Sequence, residues 1–242
     1  MGVVGVIGEL MITVGVLVLL FLAWQLWWTD VVADRAQAAI VHDLQWQAPP
    51  DVTVPVAEKR TDDPPVEPTP QLGSVWATLY VPRFGDDYVR PVAEGVDKET
   101  VLDKLGVGRY PETQMPGQLG NFAIAGHRTT FGKPFTHIEK LKKGDAVVVR
   151  TATTWYVYKV TSHLIVYPDQ VGVLSPVPDE STSVSAAPDD LSKRFLTMTS
   201  CHPRYWALQR YVVHGELAYW APVSSGVPDE LAGVDVSLGS GS

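Results

Sequence analysis

The chain has 242 residues and a formal net charge of −8. This acidic balance argues against a nucleic-acid-binding protein, which needs a basic face. The single cysteine, Cys201, cannot form an intramolecular disulfide. It is therefore either a small buried apolar residue or a free reactive thiol.

The first segment of the chain is strongly apolar. The 19 residues from Leu10 to Trp28 contain only Thr13 and Gln25 as polar residues, and three tryptophans cluster near the end of the run. A helix of this length would extend about 28 Å, close to the thickness of a bilayer core, with tryptophans at its interface. We assign residues 1–28 to a single transmembrane anchor; a cleaved signal peptide is the alternative.

Residues 29–73 are predicted to connect this anchor to a folded domain. The first part, up to about residue 47, can continue the helix out of the membrane. Residues 48–70 then contain seven prolines among acidic residues and threonines. Such a composition predicts an extended, semi-rigid spacer without a core, lifting the following domain off the membrane.

A mainly β domain is predicted from residue 74 to residue 221. The runs that read as strands are 75–81, 88–92, 121–127, 146–150, 155–166, 194–199, 210–214 and 215–220. Without helical crossovers between them, seven or eight short strands imply an antiparallel barrel or sandwich. One short helix is predicted over 97–105, with Asp97 as its N-cap. Residues 222–242 are predicted to form a flexible tail.

Two chemically active side chains stand at the ends of neighbouring predicted strands. Cys201 closes the run that begins at Arg194, Pro203 stops that strand, and Arg210 opens the next strand nine residues after the cysteine. If these two strands pair, the thiol and the guanidinium lie together at one open end of the fold, which we call the mouth.

His127 is the histidine best placed to act with the thiol. A reactive thiolate needs a nearby base or cation, and the chain has six histidines. His127 closes a predicted strand directly after Gly126, whereas His202 adjoins Cys201 and so points to the opposite face of its strand. His214 lies inside a strand and is predicted to pack. A satisfied structural role for His127 is the alternative.

Two motifs resemble those of sortases. The stretch from Gly120 to Thr130 resembles their catalytic-histidine strand, and Thr197-Met198-Thr199-Ser200-Cys201 is similar to their Thr-Leu-x-Thr-Cys signature. Met and Ser replace the signature Leu and second Thr. The Cys-His-Pro run followed by Arg210, and the turn from Gly108 to Pro111, resemble the class E sortases of actinobacteria. The similarity runs from about residue 74 to residue 220.

This resemblance implies an eight-stranded β-barrel with short helices and a membrane-anchored cysteine transpeptidase whose catalytic domain is extracellular. Its partners would be secreted proteins that carry a C-terminal Leu-Pro-x-Thr-Gly or Leu-Ala-x-Thr-Gly sorting signal, and a peptidoglycan precursor amine. Cys201 would attack the threonine carbonyl, Arg210 would donate hydrogen bonds to the signal or the oxyanion, and His127 would transfer protons. No cofactor and no metal ion are expected.

The resemblance also indicates how the substrate is held. Tyr110, Thr199 and Ser200 are the candidate substrate-binding residues. Residues 168–193, a long polar stretch just before the cysteine strand, are expected to form one wall of the signal-binding groove. The alternative for Tyr110 is a turn aromatic that covers the barrel.

Three other functions are compatible with parts of this pattern. A pilin-polymerising sortase would use a pilin lysine as its nucleophile, and an L,D-transpeptidase-like enzyme would also place Cys and His outside the membrane. A membrane-tethered binding module without enzymatic activity is the third alternative. Neither an acidic-aromatic lid before residue 74 nor a Ser-His-Gly-Cys motif is found, which favours the sorting enzyme.

Overall fold

The computed structural model describes residues 2–44, 55–178 and 191–232. A long helix, α1 (Val3–Asp43), precedes eight strands. The strands are β1 (Val75–Tyr80), β2 (Val89–Glu94), β3 (Val107–Arg109), β4 (Gly120–Gly126), β5 (Ala146–Arg150), β6 (Thr154–Val166), β7 (Arg194–His202) and β8 (Gln209–Pro222). They close into a barrel in the order β1-β2-β3-β4-β7-β8-β6-β5, which confirms the predicted eight-stranded barrel.

The strand directions differ from the expected antiparallel arrangement at two places. β2 pairs with β3 in parallel, and β4 pairs with β7 in parallel, while the other pairs are antiparallel. Parallel neighbours require a connection that returns the chain to the starting end. Between β2 and β3 the 98–105 helical turn lies in this connection, whereas the β5–β6 hairpin starts and ends at the end of the barrel where β4 finishes.

Side-chain alternation separates the barrel interior from an outer face. Phe122 and Ile124 of β4 and Leu196 and Met198 of β7 belong to the barrel core. Because successive strand residues point to opposite sides, the odd-numbered residues of β4 and β7 lie on the outer face. Cys201 therefore belongs to the outer face of β7.

The predicted short helix is present in two parts. A π-helical turn, Lys98–Leu102, runs directly into α2 (Asp103–Leu105). The amide and hydroxyl of Thr100 donate to the Asp97 carboxylate at 2.8 and 2.6 Å, so the predicted N-cap is confirmed. Because β3 starts at the end of the barrel where β4 finishes, α2 lies at that same end.

Helix α1 is long and apolar enough to cross a membrane, and it continues past Trp28 as predicted. The continuation lies along the barrel. The Lys133 ammonium is 2.8 Å from an Asp30 carboxylate oxygen, and the Arg90 guanidinium is 3.0 Å from Asp34. The barrel thus contacts the helix within two residues of Trp28, and is not lifted away from it as the spacer prediction required.

Residues 55–70, which we call the strap, pack against the barrel, so the prediction of a free spacer is wrong for them. The Trp220 indole N–H donates to the Asp62 carbonyl at 2.9 Å, and the Tyr156 hydroxyl donates to the Pro65 carbonyl at 2.6 Å. The Arg60 guanidinium lies 4.5 Å from the Trp220 ring centroid. A proline-rich extended chain keeps its carbonyls free to accept, and aromatic donors of the barrel use them.

The C-terminal segment also packs in part. Leu231 is 1 % exposed, the Trp155 indole N–H donates to the Gly226 carbonyl at 3.0 Å, and Val227 forms a parallel bridge with Val56 of the strap. The predicted flexible tail is therefore wrong for residues 223–232. The rest of it, residues 233–242, lies outside the described residues, as do residues 45–54 and 179–190.

We predict that the strap stabilises the barrel. A chain that begins at Gln71 should unfold at lower denaturant than one that begins at Pro55. The lost hydrogen bonds, which include those of the Trp220 indole and the Tyr156 hydroxyl, and the newly exposed apolar surface should together cost about 2–4 kcal/mol in the free energy of unfolding. Urea titrations followed by tryptophan fluorescence measure this difference. Equal midpoints of urea unfolding for the two chains would contradict the prediction and indicate that the strap is only a spacer.

Candidate active site

The pairings of β7 bring the three predicted site residues to one end of the barrel. Ala125 of β4 lies beside Thr199 of β7, and this parallel register, carried two residues further, puts His127 level with Cys201 on the outer face. On the other side, Cys201 lies directly opposite Arg210 of β8. Residues directly opposite on antiparallel strands have Cβ atoms about 5 Å apart. The thiol and guanidinium therefore share the mouth that the sequence predicted.

Main-chain carbonyls at the start of β8 and just before it hold the Arg210 guanidinium. Its Nη1 donates to the carbonyls of Ala207 at 3.0 Å and Gln209 at 2.9 Å. Within the described ranges these are the hydrogen bonds that it makes, so Nε and Nη2 remain available to a bound group. A guanidinium fixed in this way presents its charge and planar donors in a set direction.

His127 is held by two neighbours. Its Nε2 lies 2.6 Å from an Asp103 carboxylate oxygen, and its ring centroid lies 5.3 Å from that of Phe131. The histidine and aspartate side chains are 15 % and 17 % exposed. Because an ionised carboxylate only accepts, the hydrogen of this bond belongs to Nε2, and Nδ1 is the second ring nitrogen. The pair thereby fixes the tautomer and the orientation of the ring.

Asp103 was missed by the sequence analysis. It lies in the last turn of the predicted 97–105 helix, so its local structure was expected, but its partner is 24 residues away. Only the pairing of β3 with β4 brings the end of that helix beside the end of the histidine strand.

Arg128 was also missed as a site-forming residue, although it directly follows His127. Its guanidinium is 5 % exposed and donates from Nη1 to the Cys201 carbonyl at 3.1 Å. The same nitrogen lies 3.0 Å from His202 Nδ1, and Nη2 donates to Glu139 at 3.1 Å. Arg128 therefore ties the main chain at Cys201 to the loop that follows His127.

Tyr110 lies in the same mouth. Its hydroxyl is 2.9 Å from the Thr199 hydroxyl, and Thr199 is 4 % exposed on the outer face of β7. Burial raises the pKa of Tyr110, against smaller opposite effects of the Thr199 hydrogen bond and the Arg210 charge. The phenol thus stays protonated at neutral pH, and the two hydroxyls form a neutral polar pair near Arg210 and Cys201.

A buried ion pair fixes the turn that carries Tyr110. The Arg109 guanidinium donates from Nε and Nη2 to the two Glu94 oxygens, each at 2.7 Å, and both side chains are 1 % exposed. Arg109 Nη1 also donates to the Thr113 carbonyl. The two-pronged geometry and this third bond lock residues 109–113 against the barrel.

Ser200 does not reach the mouth, contrary to the sequence prediction. It is 3 % exposed, and its hydroxyl donates to the Gly126 carbonyl at 2.8 Å. Strand alternation turns it away from the outer face of Thr199 and Cys201. Its role is to tie β7 to the last residue of β4.

A polar network holds the first part of the expected groove wall on the outer face. The Asn121 amide donates to the carbonyls of Val173 at 3.1 Å and Ser175 at 3.0 Å. The Thr197 hydroxyl donates to the Asn121 side-chain oxygen at 2.8 Å and lies 2.9 Å from His214 Nδ1. His214 is 5 % exposed, which confirms its predicted packed role.

The acidic and imidazole side chains of the site do not form a metal-binding group. Within the described ranges, no three His, Cys, Asp or Glu side chains are close enough together to hold a metal ion. Asp103 is engaged by His127 instead.

Comparisons with known proteins agree with this geometry. The family model for the sortase domain matches residues 79–218. Sortase SrtE1 of Streptomyces coelicolor is 40 % identical over 233 residues, which cover 93 % of this chain and 60 % of that protein. The chain thus spans 60 % of the length of this relative. Sortase SrtE2 of the same organism is 36 % identical, with 88 % of this chain and 81 % of that protein covered.

Solved structures give the same result. The SrtA sortase from Actinomyces oris superimposes with a TM-score of 0.65 at 41 % identity, covering 72 % of this chain and 96 % of that chain. Sortase E1 from Streptomyces coelicolor, solved with a tripeptide in the active site, superimposes with a TM-score of 0.58 at 40 % identity. That match covers 66 % of this chain and 97 % of the other.

We predict that Glu94→Gln destabilises the barrel strongly. The substitution leaves the Arg109 guanidinium buried beside a neutral partner, and breaking a buried ion pair from one side costs about 3–5 kcal/mol. Urea unfolding of the variant measures this loss. The matched control is Asp63→Asn, because Asp63 pairs with Arg194 but is 94 % exposed and should change stability little. Equal effects of the two substitutions would contradict the prediction.

Proposed function

The chain belongs to the sortase family, and we propose that it acts as a membrane-anchored class E cysteine transpeptidase. It would cleave a Leu-Pro-x-Thr-Gly or Leu-Ala-x-Thr-Gly-like sorting signal after the threonine and transfer the protein to an amine of a cell-wall peptide. The observation that carries the proposal is the cross-strand pairing of Cys201 with Arg210, with His127 directly after β4, the parallel neighbour of β7.

In the first half-reaction the Cys201 thiolate attacks the threonine carbonyl carbon of the signal. A C–S bond forms, and the carbonyl oxygen takes the negative charge in the tetrahedral intermediate. Arg210 donates hydrogen bonds from its available nitrogens to this oxyanion or to the bound signal. The C–N bond to glycine then breaks, and His127 gives its proton to the leaving amine.

In the second half-reaction the incoming amine attacks the thioester carbonyl. His127, now neutral, accepts a proton from the amine as the new C–N bond forms. The C–S bond breaks and the Cys201 thiolate is regenerated. Asp103 assists both halves by keeping the imidazole in one tautomer and one orientation while the proton moves.

The signal would bind on the outer face of the barrel, beside the 171–175 segment. Tyr110 and Thr199 line this mouth as a neutral hydroxyl pair and are our proposed substrate-binding residues. The tripeptide named with the Streptomyces coelicolor sortase E1 structure supports a peptide ligand for this chain.

We further propose that residues 1–28 anchor the chain in the cell membrane by a single span and that residues 74–221 form an extracellular catalytic domain. The contact between Asp30 and Lys133 supports this arrangement. Lys133 belongs to the loop that follows His127, so the site end of the barrel lies close to where the helix would leave the bilayer. Substrates at the membrane surface would then be within reach.

The proposal predicts a covalent acyl-enzyme. Wild-type chain incubated with a sorting-signal peptide should gain the mass of the acyl fragment ending at threonine, attached at Cys201, and hydroxylamine should release it. Intact-protein and peptide mass spectrometry measure both events. Adding a glycine-like amine should convert the adduct to a ligated peptide product.

Cys201→Ala is the negative control, because the chain has no other thiol. Cleavage by this variant, with no adduct on wild type, would overturn the sortase mechanism for this chain. Exchange of a D-amino acid into cell-wall peptides without cleavage of the signal would identify the L,D-transpeptidase alternative. A preference for a pilin lysine as nucleophile would identify the pilin-polymerising alternative.

The membrane proposal predicts that protease added to intact cells digests the barrel domain. In this proposal everything after residue 28 lies on the outer side of the membrane. Immunoblotting with an antibody against the domain measures its loss, with a cytoplasmic protein as the control for cell integrity. A domain that resists protease until the cells are lysed would show the opposite orientation.

A further inference from the structure

Helix α1 places one buried polar residue against the barrel. Among the described side chains of α1, Gln37 alone is fully buried, at 0 % exposure. It lies nine residues beyond the apolar run that ends at Trp28. Glutamine is seldom buried without a specific partner, since burying an amide without a hydrogen bond costs free energy.

The Gln37 carboxamide is held between two turns of the barrel. Its Nε2 donates to the Phe131 carbonyl at 3.1 Å. A Cβ added to Gly106 would lie 2.9 Å from Gln37 Oε1, and one added to Gly132 would lie 2.9 Å from Nε2. Both glycines have positive φ, 98° and 75°, a conformation that other residues adopt with strain. The backbones of the two turns therefore pack closely around this one side chain.

These two turns carry the two neighbours of the His127 ring. Gly106 directly follows α2, which begins at Asp103, the carboxylate 2.6 Å from His127 Nε2. Gly132 directly follows Phe131, whose ring lies 5.3 Å from the His127 ring. Gln37 thus bridges the elements that fix the imidazole from two sides.

Other contacts of α1 are weaker candidates for this bridging role. Asp30 pairs with Lys133, and Asp34 pairs with Arg90, but Lys133 and Asp34 are each 43 % exposed. Half-exposed ion pairs contribute little because water screens them. The Gln37 carboxamide is fully buried and therefore not screened in this way, so it is the contact that would transmit the position of the helix to the site.

We propose that Gln37 is a positioning residue for His127, so that the helix emerging from the membrane completes the catalytic site. This role rests on the proposed transpeptidase function of His127. Gln37 touches neither the substrate nor the thiol. It acts by holding Phe131 and the end of α2, which in turn hold the imidazole.

The test compares Gln37→Met with Arg35→Met in the full chain in detergent micelles. Methionine keeps the length and volume of Gln37 but cannot donate to the Phe131 carbonyl, and Arg35 is an exposed residue of the same helix segment. Steady-state cleavage of a sorting-signal peptide gives kcat and KM. Nuclear magnetic resonance of the chain with ¹⁵N-labelled histidine side chains reports the environment of each imidazole. The signals that disappear in His127→Gln are assigned to His127.

Gln37→Met should lower kcat about 10- to 100-fold with KM nearly unchanged, because a small misplacement of a proton-transfer group slows chemistry more than binding. The His127 ring signals should shift or broaden. Arg35→Met should match wild type in both readouts. If Gln37→Met does not fold, Gln37→Asn replaces it, since the shortened amide cannot reach Phe131 and should give the same loss.

Unchanged kcat and unchanged His127 signals in a folded Gln37 variant would overturn the proposal. A rise in KM with kcat intact would also overturn it, because that result places Gln37 in substrate binding. The imidazole readout does not depend on turnover. If wild type cleaves no sorting peptide, the proposed function fails, while the shift of the His127 signals still decides whether Gln37 positions the ring.

Discussion

The parallel pairing of β4 with β7 is the constraint on which the site depends. Because the two strands run in the same direction, both finish at one end of the barrel, where His127 follows β4 and Cys201 lies near the end of β7. An antiparallel pairing would put His127 at the start of β7. Over a strand of seven residues that is a separation of about 20 Å, too far for proton transfer. The tight β7–β8 connection then returns the chain and places Arg210 opposite the cysteine.

The sequence predicted the parts of this site that are local. Strand ends at His127 and Cys201, and the short step to Arg210, are visible in runs of a few residues, and the family motifs reinforced them. What it did not predict are contacts between distant segments. The parallel pairing of β4 and β7 has no local signature, and Asp103 reaches His127 only through the order of the strands. The bond from Gln37 to Phe131 spans 94 residues.

Composition predicted the conformation of the strap but not its location. Five prolines in residues 55–70 correctly indicate an extended segment with no core of its own. They do not show that the barrel has donors to satisfy. The location of the strap depends on strand residues such as Tyr156 and Trp220, whose O–H and N–H groups need hydrogen-bond acceptors when their rings are buried. A segment rich in free carbonyls next to such a surface is bound by it and becomes part of the domain.

Three arginines near the mouth differ in a way that assigns their roles. Arg109 and Arg128 are at most 5 % exposed, and each is paired with a carboxylate, Glu94 and Glu139 respectively. Because these carboxylates neutralise their charges, Arg109 and Arg128 stabilise the main chain around the mouth and add little positive electrostatic potential to it. Arg210 is bound by carbonyl oxygens, and within the described ranges no carboxylate lies within 4.0 Å of it. Its charge is therefore the one left to stabilise an oxyanion that develops beside Cys201.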